Sequence, residues 1–147
     1  MKIKEVMSKN VLVMNKNSDI SSICDNMKKY DTGFIPICDD NKIIGVITDR
    51  DIAIRKAFLS DKIESFISNN IVTINQNSNL YDALNIMENN KIKRLIVTDN
   101  NKIVGIVSFS DLIKHIDSQK LINNLKIIYE IDKNNHDLFL SVDDFYL

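Results

Sequence analysis

The chain has 147 residues, 44% of them hydrophobic, which is enough for one ordinary domain or two interlocked halves with a core that needs no staples. Lys and Arg (19) nearly balance Asp and Glu (20), and the net charge of −1 argues against nucleic acid or an anionic membrane as the main partner. Residues 1–20 lack the apolar core of a signal peptide and no apolar run reaches the length of a membrane span, so the expected location is cytoplasmic.

The first element in chain order is a short apolar strand at 11–14, followed by an Asn15-Lys16-Asn17-Ser18 turn whose serine suits a helix N-cap. Ile20, Ile23, Cys24, Met27 and Tyr30 then fall at helical spacing. Two strands at 34–38 and 43–47, joined by the polar turn Asp39-Asp40-Asn41-Lys42, read as a hairpin. A last helix is expected from about 51 to 59, and residues 60–67 form a short helical connector, since Ser, Gly and Pro do not accumulate there.

The same order then returns. Residues 6–55 align without a gap on 66–115, at a constant offset of 60, with matches such as Ser8/Ser68, Asn10/Asn70, Met27/Met87, Gly45/Gly105 and Asp51/Asp111. The second copy has a strand at 71–74, a helix marked by Leu80, Ala83, Leu84 and Met87, strands at 95–98 and 103–107, and a helix from 111 to about 115. The expected fold is α+β: tandem β-α-β-β-α units at 1–60 and 61–117, packed about a pseudo-twofold axis because neither covers its own sheet and helices. At 118–147 an amphipathic helix with Leu121, Ile122, Leu125, Ile128 and Tyr129 leads into an acidic and aromatic tail.

Chemistry concentrates where each hairpin ends. Gly45-Val46-Ile47-Thr48-Asp49-Arg50-Asp51 returns as Gly105-Ile106-Val107-Ser108-Phe109-Ser110-Asp111: a buried strand, a hydroxyl, and a carboxylate three residues on. Such a segment can be a capping box that satisfies the helix start. It can equally be a sugar-phosphate cradle, because helix N-termini present N–H groups and positive dipole ends to anions. Cys24 and Cys38 are expected as buried thiols, and no His, Cys or carboxylate cluster has metal-ligand spacing, so neither a metal nor a catalytic residue is expected. An enzyme that processes nucleotides is disfavoured by the absence of a P-loop or a nucleophile flanked by a base.

Taken with the element order, the duplicated Gly-h-h-Thr/Ser-x-x-Asp segment (h apolar) resembles a cystathionine-β-synthase (CBS) domain pair, or Bateman module, over about residues 1–117. The stretch from Thr32-Gly33-Phe34-Ile35-Pro36-Ile37 to Thr48-Asp49-Arg50-Asp51-Ile52 is especially similar to stand-alone bacterial two-repeat members. The resemblance implies a regulatory, non-catalytic sensor that homodimerises and signals through dimer geometry to an effector protein. Its clefts would bind AMP, ADP or ATP, or in some members S-adenosylmethionine or NAD. Carried over residue by residue, Thr48 and Ser108 would meet a phosphate, while Asp51 and Asp111 would accept ribose hydroxyls.

Only three residues are Arg; Arg55 reads as a surface ion pair, whereas Arg50 and Arg94 are candidate phosphate ligands. Val11, Leu12, Phe34, Ile35 and Pro36 are expected to line the first cleft, against adenine. Pro36 becomes Ile96 in the second unit and Asp49-Arg50 becomes Phe109-Ser110, so the clefts differ and the Thr48/Asp51 site is the stronger candidate. The competing reading is an adaptor dimer with vestigial clefts and a working tail.

Overall fold

A computed structural model describes residues 1–40, 42–56, 58 and 61–116 of the chain, and the helix and tail expected at 118–147 lie outside them. Each unit follows the expected β-α-β-β-α order. The first contains β1 (Met14–Asn15), α1 (Ile20–Lys29), β2 (Phe34–Asp39), β3 (Lys42–Thr48) and α2 (Asp49–Ile54). The second contains β4 (Thr73–Asn75), α3 (Leu80–Asn90), β5 (Arg94–Asp99), β6 (Lys102–Ser108) and α4 (Phe109–Ile113). Two three-stranded sheets result, ordered β1-β2-β3 and β4-β5-β6. The first pair in each is parallel, bridged by the long helix, and the second is an antiparallel hairpin.

Local chemistry explains the boundaries. Asn100 (φ 47°) and Asn101 (φ 63°) both adopt the left-handed conformation that a tight two-residue hairpin turn demands. The long helices are capped one residue later than expected: Asp19, not Ser18, accepts from Ser22 N at 2.8 Å, and Asn79, not Ser78, accepts from Tyr81 N and Asp82 N. Ser18 and Ser78 instead close the preceding turns through their own N–H groups, onto Asn15 O and Asn75 O. The short helices begin two residues earlier than expected because Thr48 and Ser108, rather than the aspartates, are their caps. Tyr30, expected on the apolar face of α1, is the C-cap and is exposed, since the helix ends at Lys29.

Each sheet packs its long helix onto a separate core. The first holds Ile20, Ile23, Ile35, Ile37 and Ile47; the second holds Ile74, Leu80, Ala83, Leu84, Met87, Leu95, Val97, Val107 and Leu112. What completes each core comes from the other repeat's leading segment. Ile3, in a single 3₁₀ turn at Ile3–Glu5, is fully buried in the second core, and Ile63, in the matching turn at Ile63–Ser65, is fully buried in the first with Phe66 beside it. Backbone bonds secure the exchange, with Ile3 N donating to Ser78 O at 3.0 Å and Ile20 N to Asp61 O at 3.1 Å.

The crossing segments then pair with the hairpins. Ser8 exchanges both backbone bonds with Ile106 on β6, and Ser68 does the same with Val46 on β3. The neighbouring glycines make room: a Cβ on Gly45 would meet the Ile67 side chain and lie 2.6 Å from Ser68 O, and one on Gly105 would lie 2.8 Å from Ser8 O. In space each unit therefore carries the leading residues of its neighbour.

Cys24 and Cys38 are half-buried rather than enclosed, because Cys24 lies at the rim of the first core and Cys38 belongs to neither. Partial burial still pushes both thiols above their ordinary value, helped at Cys24 by the nearby Asp25 carboxylate. Both should therefore be alkylated by iodoacetamide more slowly than free cysteine at pH 8, with the rate still climbing above pH 9, as mass spectrometry of quenched samples would record. No helix among the described residues is long and apolar enough to cross a membrane.

Candidate functional site

The motif at the end of β3 folds as a complete capping box. Asp51 N donates to Thr48 Oγ1 at 3.1 Å, while the Asp51 carboxylate accepts from Thr48 N at 3.0 Å and from the Thr48 hydroxyl at 2.6 Å, all at Oδ2. The two remaining N–H groups of this helix start are also engaged, Asp49 N by Gly33 O and Arg50 N by the Asp49 carboxylate. The backbone amides expected to meet an anion are thus already taken, and α2 has only six residues. Asp51 keeps Oδ1 for another donor, with Arg55 Nη2 at 4.0 Å.

Ser108 and Asp111 repeat the box, with the Ser108 hydroxyl 2.6 Å from Asp111 Oδ2 and Ser110 Oγ at 2.7 Å. In both copies the structural reading of the motif is realised. It leaves a ligand role open only through the carboxylate oxygen that the box does not use.

Between the units lies a crevice of about 560 Å³, within the size range of small-molecule sites. Thr48, Asp51, Arg50 and Phe34 line it from the first unit, and Arg94 from the second, so the structure brings these five sequence candidates together. Ser68, Asn70, Val72, Lys91, Ile92, Lys93 and Ile96 of the second repeat and Val46 of the first also line it. Ile96 is buried yet belongs to neither core, because it sits on the face of β5 opposite Leu95 and Val97.

Val11 and Leu12 were expected in this cleft and lie elsewhere. They line a second crevice of about 610 Å³ with Ser8, Asn10, Tyr30, Thr32, Phe34 and Ile106. The segment exchange is the reason: Ser8 pairs with β6, whereas Ser68 pairs with β3, so the Thr48 crevice is lined by the second repeat's Ser68, Asn70 and Val72. Phe34 borders both crevices. Ile35 and Pro36 border neither: Ile35 is fully buried in the first core and Pro36 is buried on the other face of β2. Ser108 and Asp111 are not among the residues lining either crevice.

Arg55 reaches across to donate to Ser65 O at 2.7 Å, tying α2 to the exchanged turn rather than facing the crevice. Sequence reasoning missed Lys91, Lys93, Ser68 and Asn70. The first two were hidden by the abundance of Lys, although Lys91-Ile92-Lys93-Arg94 is the densest basic stretch of the second repeat. The other two follow once the repeat's offset is combined with the exchange.

Comparison with known proteins gives the same frame. The CBS domain profile matches residues 3–56 and 63–118. An uncharacterized protein of Methanocaldococcus jannaschii, MJ1232, is 37% identical over 117 residues, which is 78% of this chain and 39% of that protein, so the chain spans about two-fifths of that relative. The CBS domain-containing protein YhcV of Bacillus subtilis is 32% identical over 114 residues, covering 75% of this chain and 81% of YhcV. Among solved structures, the CBS domain pair of protein MJ0100, in complex with 5′-methylthioadenosine and S-adenosyl-L-methionine, superposes with a TM-score of 0.71 at 26% identity, covering 78% of this chain and 98% of the other. With a duplicated profile over most of its length and the matching pair of interlocked sheets, the chain belongs to the CBS domain family.

Proposed function

We propose that this protein is a non-catalytic sensor that binds an adenosyl ligand, an adenine nucleotide, in the crevice beside Thr48 and Asp51, and passes the signal on through the geometry of a homodimer to an effector protein. The observation that carries the reading is the meeting, in one crevice of nucleotide size, of a carboxylate with a spare oxygen and cations from both repeats. Asp51 Oδ1 accepts from the ribose hydroxyls, a pair of donors suited to a carboxylate. Thr48 holds Asp51 in place through its own proton, and shares that proton with a phosphate only by loosening the 2.6 Å bond to Oδ2. Arg50 and Arg94 take the phosphate. Adenosyl compounds bound by MJ0100 support the ligand class.

The second crevice holds no charged residue in its lining, and Ser108 and Asp111 stay outside it, which favours one nucleotide per chain. Exposed Ile54 and Phe58 on and after α2 are apolar surface suited to a second copy. Ligand binding then biases the dimer only by its differential affinity for two arrangements.

The test is a thermal-shift panel of AMP, ADP, ATP, S-adenosylmethionine and NAD on the wild type and on Asp51→Ala. At least one compound should raise the melting temperature of the wild type by mass action. Asp51→Ala should melt lower without ligand, having lost half a capping box worth about 0.5–2 kcal/mol, so each ligand shift is taken from the variant's own baseline. That shift should shrink or vanish. A flat panel on the wild type, confirmed by calorimetry at millimolar ligand, would transfer the protein to the adaptor reading with vestigial crevices.

A further inference from the structure

Resting on the reading of the Thr48/Asp51 crevice as an adenosyl site, we propose that it selects a nucleoside di- or triphosphate over the monophosphate and rejects S-adenosylmethionine, with Lys91 and Arg94 of the second repeat and Arg50 of the first as the selecting residues. Four cationic residues line the crevice, Arg50, Lys91, Lys93 and Arg94, against two acidic ones. Asp49 accepts from Arg50 N and Asp51 accepts within its capping box with only Oδ1 to spare, so in the lining the cations outnumber the carboxylates two to one.

The charge is a property of this crevice and not of the repeat. At the offset of 60, Lys91 corresponds to Asp31, Lys93 to Gly33, Arg94 to Phe34 and Arg50 to Ser110, so every one of the four cations has an uncharged or acidic counterpart. The second crevice is accordingly lined by uncharged residues throughout. A single phosphate held by backbone amides would need no such excess, and here the amides at the helix start are occupied. Cations on long, exposed side chains, Arg50 from the first unit and Lys91 and Arg94 from the second, match negative charge distributed over a chain of phosphates. S-Adenosylmethionine offers one carboxylate but brings a sulfonium and an ammonium with it, so its net charge is positive where a polyphosphate's is strongly negative, and like charges repel.

Lys91 carries a second observation. It ends α3 in the left-handed conformation, φ 56°, where glycine or asparagine is the ordinary residue, and its counterpart Asp31 (φ 49°) is of the type that tolerates it. Folding alone would be better served by glycine at 91. Lys56 provides a matched control, since it is also left-handed (φ 52°) and exposed but is not among the residues lining the crevice.

The test is titration calorimetry of ATP, ADP, AMP, adenosine and S-adenosylmethionine on the full chain, at low and high salt, with Lys91→Gly and Lys56→Gly alongside. ATP and ADP should bind about tenfold tighter than AMP, the product of exposed ion pairs each worth a factor of about two to five. Adenosine and S-adenosylmethionine should bind more weakly than AMP. Salt should weaken ATP binding and leave adenosine unchanged. Both glycine variants should melt higher than the wild type, and only Lys91→Gly should lose ATP affinity, by about two- to fivefold. AMP or S-adenosylmethionine binding as tightly as ATP, or ATP affinity indifferent to salt or to Lys91→Gly, overturns the selection for phosphates while leaving an adenosyl site intact. Failure of all five compounds to bind overturns the adenosyl reading itself.

Discussion

Replacing Ile3 by alanine should lower the stability of the chain by about 2–5 kcal/mol, the range for emptying a filled aliphatic site. Ile3 is fully buried among Ile74, Leu80, Leu84 and Leu112, in the core of the repeat that begins some sixty residues later. Urea titration followed by circular dichroism measures the effect. Lys4→Ala is the control, since Lys4 is exposed and its bond to Gln76 O is made by the backbone and survives the change. It should stay within about 0.5 kcal/mol of the wild type. An Ile3→Ala protein as stable as Lys4→Ala would mean that the leading segment does not complete the second core.

A second large effect is expected at Gly45. An added methyl there would press on the Ile67 side chain and sit 2.6 Å from the carbonyl oxygen of Ser68, a backbone atom that cannot rotate away. Overpacking of this kind costs about 1–3 kcal/mol, and the upper end applies because β3 and the Ser68 segment share both backbone bonds at Val46. Gly45→Ala should therefore lower the melting temperature by several degrees. It should also weaken ligand binding, because the displaced segment carries Ser68 and Asn70, part of the crevice wall. Gly105→Ala should cost less, since its closest contact is the flexible Met7 sulfur and Ser8 O is 2.8 Å away. Equal melting temperatures for Gly45→Ala and the wild type would exclude the close pairing of the exchanged segment with β3.

These two residues also mark how far the sequence can be read. Periodicity of 2 and of 3.6 located the hairpins and the long helices, because Ile35/Ile37 and Ile20/Ile23 follow from which face of a strand or helix is buried. The caps moved, and the leading strands expected at 11–14 and 71–74 are found at Met14–Asn15 and Thr73–Asn75. Asp19 and Asn79 displaced Ser18 and Ser78 since either neighbour has a side chain able to cap, and the turn had already used the serine N–H. Thr48-x-x-Asp51 was open to two meanings in the sequence, and the capping geometry is local enough to have been written into it.

By itself, then, the sequence determined the duplication, the β-α-β-β-α order, the two motifs and their membership of one family, all properties of spacing within a repeat. Tertiary structure alone decided which repeat's leading segment completes which core. Ile3 and Ile63 occupy comparable places ahead of their repeats and would suit either core, so nothing in their spacing distinguishes packing at home from packing across. The exchange put Val11 and Leu12 beside Ile106, away from Thr48, and brought the basic wall of the second repeat to face Asp51. Contacts between segments sixty residues apart are set by shape and close approach, at Gly45 and Gly105, and periodicity carries no record of them.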